Sequence, residues 1–368
     1  MTAMRITAAV SREVGAPLEL TTLELDDLRD DEVRVRLVAT GVCHTDALVR
    51  DGVLPGSRPV VLGHEGAGVV EAVGAAVTSV SPGDHVVLGF TSCGVCGTCR
   101  DGHPAYCADF PLLNFGGARA DGTTSLSEDG APVASHFFGQ SSFATFADVS
   151  QRSVAKVDDS VPLELLGPLG CGITTGAGTV LNVLKPAEGS SIVVFGTGAV
   201  GNSALLAAVV AGCSTIIMVD VVPARLALAQ ELGATHVVDA LEEDPVERVR
   251  QITGGGARYA VDTTGRPAVF RQMVDSLAPQ GFAALVGAAA PGTEATIDIG
   301  AFLVNSPTVT AVIEGDAVPQ TFIPYLVDLY KAGRFPFDRL VTTYAFDDIN
   351  SAFADSEAGV TIKPVVVF

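Results

Sequence analysis

Residues 191–201 read Ser191-Ile-Val-Val-Phe195-Gly196-Thr-Gly198-Ala-Val-Gly201, an apolar strand-like run that ends in three spaced glycines. The Ala-, Leu- and Val-rich stretch that follows predicts a helix to about Ala211. The next apolar run, Thr215-Ile-Ile-Met-Val-Asp220, predicts a second strand that ends in an acidic residue. A strand, a glycine-rich turn, a helix and a second strand in this order form the dinucleotide-binding fingerprint of a doubly wound α/β domain.

Each part of this fingerprint has a role in holding a pyrophosphate. Gly196 permits the tight turn, Gly198 lets the backbone approach the phosphates, and Gly201 lets the helix pack closely on the strand. The amino-terminal end of the helix attracts negative charge. Asp220 is placed to accept a hydrogen bond from the 2′-hydroxyl of the adenosine ribose, which favours NAD over NADP. A glycine-rich turn without a ligand is the alternative.

The alternation of strands and helices continues along the chain. Helices are predicted over stretches such as 223–232 and 267–277, and a further helix over about 322–332. The strand-like runs between and after them are 235–238, 259–262, 282–286, 308–312 and 364–368. Alternating units of this kind predict a parallel, doubly wound sheet. The final strand is expected to return to the first domain.

The region from about residue 5 to residue 156 has a different pattern. Short alternating runs such as Glu32-Val33-Arg34-Val35-Arg36-Leu37-Val38 are bounded by glycine and proline. Alternation with a period of two, interrupted by turn residues, is typical of half-buried antiparallel strands. This region is therefore predicted to form a β-rich, barrel-like domain whose loops can carry functional sites.

Four cysteines inside this region lie very close together. Cys93, Cys96, Cys99 and Cys107 follow a C-x2-C-x2-C-x7-C spacing. Four thiolates at this spacing predict a closed tetrahedral zinc site, which is structural because no coordination position is left open. An iron–sulfur cluster is the alternative, although its usual cysteine spacings differ.

A second set of metal-ligand residues is dispersed. Cys43 and His64 supply a thiolate and an imidazole, which are the ligands that zinc prefers. A catalytic zinc has three protein ligands and one open position, so a third ligand must come from elsewhere in the chain. Cys171, in Gly170-Cys171-Gly172, is the best candidate. Taken singly, each of these residues could also be an ordinary buried core residue.

The overall composition narrows the classes of function. A chain of 368 residues with 48% hydrophobic residues can form two folded domains, and a net charge of −20 disfavours nucleic acid as a partner. Residues 1–12 lack the pattern of a secretory signal, and glycines interrupt the most apolar region, residues 191–220, so no membrane span is predicted. A cytoplasmic location is the expected default, where the cysteines of a chain with seven of them are more often metal ligands than disulfide partners.

The chain resembles the zinc-dependent medium-chain alcohol dehydrogenases. The features that carry the resemblance are, in order, the Cys/His pair, the four-cysteine cluster, the later Cys171 and the nucleotide-binding fingerprint. The resemblance covers essentially the whole chain. Within the family the chain is most similar to bacterial aryl-alcohol (benzyl alcohol) dehydrogenases and the related geraniol and perillyl alcohol enzymes. The stretches that carry this likeness are Leu113-Asn114-Phe115-Gly116-Gly117 and residues 167–173 and 176–184.

The resemblance implies a domain plan and a set of residue roles. Residues 1–173 and 313–368 would form the GroES-like, zinc-containing catalytic domain, and residues 174–312 a Rossmann domain that binds NAD. Two zinc ions per chain are implied, a catalytic one on Cys43, His64 and Cys171 and a structural one on the four-cysteine cluster. The implied catalytic residues are Thr45, which contacts the alcohol, Asp46, which orients the histidine ligand, and Glu65, which lies behind the zinc. The implied cofactor contacts, besides the glycines and Asp220, are His44 and Lys363 with the pyrophosphate, Arg225 with the adenosine ribose and Thr175 with the nicotinamide side.

One residue departs from the family pattern. Leu48 stands where many liver-type enzymes have a histidine that ends the proton relay, so proton release would need water or another group. The run His44-Thr45-Asp46 is also similar to the glutathione-dependent formaldehyde dehydrogenase branch. A thiol-adduct substrate is therefore the second interpretation.

The function expected from the resemblance is reversible, NAD- and zinc-dependent oxidation of primary aromatic or allylic (terpenoid) alcohols to aldehydes. Phe137, Phe138 and Phe90 are candidates for an apolar substrate pocket, with core packing as the alternative. Two interpretations come from other classes of function. One is a non-catalytic protein that binds NAD and zinc. The other is a nucleic-acid-binding zinc module, which the negative charge disfavours. The partners expected are a small-molecule alcohol or aldehyde and further copies of the chain, as a homodimer or homotetramer.

Overall fold

The computed structural model describes residues 4–368, so the first three residues of the predicted catalytic domain lie outside the described residues. The chain forms two compact units. Unit 1 comprises the described residues up to Cys171 together with Val318–Lys331 and Asp338–Phe368, and unit 2 comprises Gly172–Ala317 and Ala332–Phe337.

The boundaries of the units differ by a few residues from those that the resemblance implies, which are 173/174 and 312/313. The helix that begins at Gly172 packs within unit 2, where a Cβ atom on Gly176 would overlap the carbonyl oxygen of Val200. The segment around Gly315 stays with unit 2 because its carbonyl oxygen accepts a hydrogen bond from Asn182 Nδ2 at 3.1 Å. Close backbone packing therefore places the divisions at 171/172 and 317/318.

The strands of the described chain are β1 (Met4–Ser11), β2 (Glu19–Leu25), β3 (Glu32–Gly41), β4 (Val60–Val61), β5 (Gly66–Val73), β6 (His85–Leu88), β7 (Leu126–Glu128), β8 (Ala131–Val133), β9 (Phe146–Ser150), β10 (Val154–Lys156), β11 (Ser191–Phe195), β12 (Thr215–Asp220), β13 (His236–Asp239), β14 (Ala257–Asp262), β15 (Leu277–Leu285), β16 (Thr308–Ala311), β17 (Val341–Ala345) and β18 (Lys363–Val367).

The α-helices are α1 (His44–Arg50), α2 (Gly97–Arg100), α3 (Phe110–Phe115), α4 (Leu163–Leu166), α5 (Gly172–Gly178), α6 (Ala199–Val210), α7 (Pro223–Glu231), α8 (Pro245–Thr253), α9 (Pro267–Asp275), α10 (Ile299–Asn305), α11 (Pro319–Lys331) and α12 (Ile349–Glu357). Within residues 4–368, no helix combines the length and hydrophobicity that crossing a bilayer requires.

Unit 1 is built from two β-sheets. One has the order β4-β1-β2-β7-β8, and the other has the order β10-β6-β5-β3-β18-β17, with β9 also paired to β3. Nearly all neighbours are antiparallel, as the alternating pattern of the sequence predicts. The carboxyl-terminal strand β18 pairs with β3, with Val365 opposite Gly41, so the end of the chain does return to the first domain.

Unit 2 contains a six-stranded parallel sheet with the order β13-β12-β11-β14-β15-β16. This order places the first strand of the fingerprint at the centre of the sheet, as in doubly wound dinucleotide-binding domains. Strand β12 occupies the predicted residues, and the prediction of a parallel doubly wound sheet is confirmed. Strand β15 begins at Leu277, inside the segment predicted as helix, because α9 ends at Asp275.

The carboxyl-terminal part has more structure than the sequence pattern suggested. A single helix was expected after residue 322, but α12 forms between β17 and β18 as well. Ile349, Ala352 and Phe353 of this nine-residue helix are buried in the core of unit 1. Tertiary packing therefore stabilises a helix that is too short to be a strong signal alone.

Candidate active site and metal centres

Four potential ligand side chains converge in unit 1. The ligand atoms of Cys43, His64, Glu65 and Cys171 all lie within 4.8 Å of one another. Cys43 lies at the junction of β3 and α1, His64 and Glu65 immediately precede β5, and Cys171 ends a short 3-10 turn. The structure thus brings together the three residues that the sequence analysis proposed as ligands of one metal ion.

Asp46 connects the first two of these segments. Its side chain is fully buried, and Oδ1 lies 2.9 Å from His64 Nδ1 and accepts a hydrogen bond from the Gly63 N–H at 3.0 Å. Oδ2 accepts a hydrogen bond from the Cys43 N–H at 3.0 Å. One carboxylate therefore orients the imidazole and the backbone of both ligand segments, which is the arrangement that histidine metal ligands generally have.

The donor set fits a zinc ion. His64 is 1% exposed, and its Nε2 atom is buried without a hydrogen-bond partner. An unpaired buried nitrogen is costly unless another group satisfies it. Two cysteine sulfurs and one imidazole nitrogen are the soft and borderline ligands that zinc takes in three-ligand catalytic sites. Cys43, His64 and Cys171 therefore fit a three-ligand zinc site.

The ionisation of Cys43 suits a metal ligand. The pKa of its thiol lies well below the ordinary value, through a hydrogen bond with Cys171 and, despite burial, through the nearby charges of His64 and Lys363. The thiolate is the form of cysteine that coordinates metals.

Glu65 and Lys363 form a buried ion pair beside this cluster. Lys363 Nζ donates to Glu65 Oε1 at 2.8 Å, to Glu65 Oε2 at 2.9 Å and to the carbonyl oxygen of Val42 at 3.2 Å. Burial lowers the pKa of Lys363, but the Glu65 carboxylate outweighs it and holds that pKa above its ordinary value. Gly41 leaves room for the carboxylate, since a Cβ atom there would overlap Glu65 Oε2.

This ion pair bears on the expected role of Lys363. An ammonium has three N–H donors, and all three have acceptors within the site. A contact of Lys363 with the cofactor pyrophosphate would therefore require one of these bonds to break. His44, the other residue expected at the pyrophosphate, is exposed at the start of α1, and Thr45 beside it is partly buried.

The phenylalanines proposed for a substrate pocket are all buried. The Phe138 ring stacks on the His64 imidazole with centroids 4.4 Å apart, and the Phe137 ring meets it edge-on at 5.4 Å. Phe90 packs against Phe110 at 5.7 Å. Phe137 and Phe138 therefore pack directly on the His64 ring and Phe90 packs on Phe110, and a role of these rings in a substrate pocket stays a prediction.

The four-cysteine lobe is a separate cluster. The sulfur atoms of Cys93, Cys96, Cys99 and Cys107 lie within 4.8 Å of one another, and Cys107 alone among them is buried. Backbone N–H groups donate to two of the sulfurs, at 3.3 Å each. The hydrogen bond between the Thr98 hydroxyl and Cys96 lowers the pKa of Cys96 to about 5, whereas burial raises that of Cys107 to about 12. Four sulfurs at these separations fit a closed zinc site.

The glycine-rich turn in unit 2 has the geometry of a phosphate-binding loop. Gly196 has φ of 93°, which a residue with a side chain rarely adopts, and a Cβ atom on Gly201 would overlap the carbonyl oxygen of Gly196. Nothing lies within 4 Å of the position that a Cβ on Gly198 would take. Gly198 is also the N-cap of α6, so this open space lies at the positive end of a twelve-residue helix and fits a pyrophosphate.

The other cofactor candidates also lie in unit 2. Asp220 Oδ2 accepts hydrogen bonds from the N–H and the hydroxyl of Thr197, both at 2.6 Å, and its Oδ1 accepts from Val221 N–H at 2.7 Å. A carboxylate has further acceptor capacity, so a ribose hydroxyl can still be bound. Arg225 is partly buried in α7 with Nε unpartnered, and Thr175 is buried in α5.

Two family models match the chain. The alcohol dehydrogenase GroES-like domain matches residues 29–159, and the zinc-binding dehydrogenase model matches residues 199–332. A geraniol dehydrogenase from Castellaniella defragrans is 49% identical over 363 residues, which cover 98% of this chain and 97% of that protein. The chain belongs to the zinc-dependent medium-chain alcohol dehydrogenases. Membership in this family implies zinc and NAD.

Two further relatives place this alcohol dehydrogenase within the family. The crystal structure of benzyl alcohol dehydrogenase from Acinetobacter calcoaceticus has a TM-score of 0.97 and 50% identity, and the match covers 99% of both chains. The S-(hydroxymethyl)glutathione dehydrogenase of Paracoccus denitrificans is 36% identical over 378 residues, which cover 99% of this chain and all of that one. The predicted family and fold are thus confirmed, together with the prediction that the protein is an enzyme.

Sequence reasoning missed two features of this alcohol dehydrogenase. The first is that Lys363 pairs with Glu65, although the residues are far apart in the chain. The second is Gln140, which is buried next to His64. Its Nε2 atom donates a hydrogen bond to the carbonyl oxygen of His64 at 2.9 Å. No motif marks either feature, because both depend on contacts between distant segments.

Proposed function

We propose that this enzyme reversibly oxidises primary aromatic or allylic (terpenoid) alcohols to aldehydes, with NAD as the hydride acceptor and a catalytic zinc held by Cys43, His64 and Cys171. The convergence of these three side chains around an unpartnered, buried His64 Nε2 supports the zinc site. The identities of 49% and 50% to a geraniol dehydrogenase and a benzyl alcohol dehydrogenase support the substrate class.

The residues of the chain have distinct roles in this proposal. A bound zinc supplies Lewis acidity that lowers the pKa of a hydroxyl group in its open coordination position. Thr45, in the first turn of α1 after Cys43, would orient the alcohol and accept its proton while passing its own hydroxyl proton to the ribose of bound NAD, from which water would take it up because Leu48 stands at the relay-histidine position. Asp46 holds His64 in its orientation through Nδ1, and Glu65 lies behind the ligands with its charge balanced by Lys363. Bound NAD supplies the acceptor for the hydride that leaves the alcohol carbon.

The cofactor is held by the glycine-rich turn of unit 2 in this proposal. Gly196, Gly198 and Gly201 admit the pyrophosphate at the start of α6, and Asp220 accepts from the ribose hydroxyl. Thr175 contacts the nicotinamide side. His44, Lys363 and Arg225 are the proposed basic contacts, with the ion pair of Lys363 to Glu65 as a competing interaction. The proposed zinc content is two per chain, and the four-cysteine lobe holds the second ion.

The experiment that tests the substrate class is a comparison of initial rates of NADH formation. Benzyl alcohol, geraniol, ethanol, and formaldehyde with added glutathione are each supplied under one set of conditions. We expect the highest kcat/KM with benzyl alcohol or geraniol. Activity confined to formaldehyde with glutathione would replace the proposal by the thiol-adduct reaction. A parallel series with NADP in place of NAD measures the cofactor preference that is attributed to Asp220. NAD and zinc binding without turnover of any substrate would leave a non-catalytic role.

We also propose that the enzyme is a cytoplasmic homo-oligomer, dimeric or tetrameric. Helix α10 exposes the apolar side chains Ile299, Leu303 and Val304, contacts β15 and directly precedes β16, the edge strand of the parallel sheet. An apolar surface next to an unpaired strand edge is suited to association with a second copy. Leu303→Asp should lower the mass measured by light scattering, whereas an unchanged mass would exclude this face. Six of the seven cysteines lie in the two proposed zinc clusters, and thiolate zinc sites are suited to a reducing compartment.

A further inference from the structure

We propose that Gln140 is a positioning residue of the catalytic zinc site, which sets the spacing between the His64 and Cys171 ligands through its buried side-chain amide. This inference rests on the assignment of Cys43, His64 and Cys171 as the zinc ligands. Gln140 is not one of the zinc-ligand candidates, and it is 2% exposed.

The amide of Gln140 binds the backbone on both sides of Glu65. Its Oε1 atom accepts a hydrogen bond from the Gly66 N–H at 3.0 Å, and its Nε2 atom donates to the carbonyl oxygen of His64 at 2.9 Å. The side chain therefore pairs with residues 64–66 as a neighbouring strand would. Because the amide is buried, water cannot substitute for these bonds without a rearrangement of the core.

The same amide contacts the segment that supports Cys171. Gln140 Nε2 lies 3.3 Å from the carbonyl oxygens of both Leu88 and Gly89. The backbone of Gly170 lies directly against Leu88, since a Cβ atom on Gly170 would overlap the Leu88 carbonyl oxygen. Gly170 immediately precedes Cys171. One side chain thus links the His64 segment with the surface on which the Cys171 segment rests.

The segment that presents Gln140 is held in a conformation of high energy. Its neighbours His136, Phe138 and Ser141 have φ of 59°, 50° and 54°, although none is glycine. Residues with side chains adopt this left-handed region only where the surrounding structure determines it, and such residues cluster at functional sites. The segment also carries Phe138, whose ring stacks on the His64 imidazole.

Hydrogen bonds fasten this segment to the chain that leads into His64. Ser141 Oγ donates to the carbonyl oxygen of Val61 at 2.6 Å and accepts from the Phe137 N–H at 3.0 Å. The N–H of Ser142 donates to the carbonyl oxygen of Gly63 at 2.9 Å. These bonds fix the backbone position of Gln140. The length of its side chain therefore sets the position of the His64 backbone.

The test compares two variants of Gln140 in the full-length, zinc-loaded enzyme. Gln140→Met keeps the length and removes both hydrogen-bonding groups, and Gln140→Asn keeps the amide but shortens it by one methylene. The measurements are the affinity of the catalytic site for zinc in competition with a chelator, the visible absorption spectrum after cobalt(II) replaces that zinc, and kcat and KM for the alcohol. Partners of metal ligands typically contribute about 10- to 100-fold to metal affinity or activity.

We expect Gln140→Met to weaken zinc binding within that range, to shift the cobalt spectrum and to lower kcat with little change in KM for the alcohol. Gln140→Asn should show the same changes to a smaller extent, and it serves as the test if Gln140→Met does not fold. Zinc affinity and a cobalt spectrum equal to those of the wild type in the folded variants would overturn the inference.

Asn114→Leu is the matched control. Asn114 is a buried amide of the same unit with three backbone bonds, to the N–H and carbonyl of Thr91 and to the carbonyl of Phe110, but none to the ligand segments. Asn114→Leu should lower the stability of the enzyme and leave the cobalt spectrum unchanged. A spectral shift in Asn114→Leu as large as that in Gln140→Met would show that Gln140 has only a general packing role. His64→Ala separates the two levels of the proposal, because retention of the exchangeable cobalt in that variant would overturn the ligand assignment itself.

Discussion

The two cysteine clusters of unit 1 are assembled in different ways. Cys93, Cys96, Cys99 and Cys107 come from one short stretch, whereas Cys43, His64 and Cys171 come from three separated segments. The first cluster is held by its own backbone N–H groups and the hydroxyl of Thr98. The second is held by buried side chains that link separated segments, such as Asp46 to the His64 segment and Lys363 to Glu65.

This difference shows how the fold separates two tasks. A closed site needs only four ligands at short spacing, because local chain geometry brings them together. An open site must keep one coordination position free, so its ligands have to be held apart and oriented by the surrounding structure. Substitutions near the two clusters should therefore have different consequences.

The largest difference is expected between Cys43→Ser and Cys99→Ser. Loss of a ligand in the open site removes the Lewis acid, which contributes several kcal/mol, so kcat should fall by more than about 10³-fold. Cys99→Ser should instead lower the thermal midpoint of unfolding. It should also reduce the bound zinc by one ion per chain, while the folded fraction retains turnover. The measurements are kcat per folded enzyme and bound zinc. Substantial turnover by Cys43→Ser would remove the distinction between the sites.

A large effect on stability is expected from Lys363→Met. This change leaves the Glu65 carboxylate buried without its cation, and breaking a buried ion pair typically costs about 3–5 kcal/mol. The double variant Lys363→Met with Glu65→Gln should recover much of that loss, because no uncompensated charge remains. Urea unfolding of the wild type and both variants measures these differences. A midpoint of Lys363→Met equal to that of the wild type would show that the ion pair is unimportant for stability.

Asp46→Asn sharpens the comparison at the level of the histidine ligand. An amide cannot accept from His64 Nδ1 and from two backbone N–H groups as the carboxylate does. We expect a loss of about 10- to 100-fold in zinc affinity or kcat. Chelator competition and steady-state rates measure it, and wild-type values in both would mean that Asp46 does not orient the ligand.

The smallest effect is expected in the four-cysteine lobe. Thr98→Val removes a hydroxyl that lies 3.1 Å from Cys96 Sγ and donates to the Tyr106 carbonyl at 2.8 Å, in an exposed position. Loss of such a hydrogen bond costs about 0.5–1.5 kcal/mol. The urea midpoint should fall slightly with unchanged kcat, and a change in kcat would indicate that the two clusters are coupled.

Parts of the fold and site could be predicted because their signals are local. The run from Ser191 to Gly201 and the acid at Asp220 predicted the central strand, the turn and the second strand. The prediction was less accurate for α12, whose helical pattern is short. The pocket role of Phe90 stays a prediction, because burial alone does not distinguish a core residue from a pocket residue.

The sequence by itself determined the family, the parallel sheet with its glycine-rich turn and the cysteine spacing of the lobe. These features depend on residues close in the chain, whose separation limits the geometries that they can adopt. Only the tertiary structure decided that Glu65 pairs with Lys363, that Phe138 stacks on His64 and that Gln140 binds the backbone around Glu65. Such contacts form only when the packing of the sheets brings distant segments together, so no local pattern encodes them.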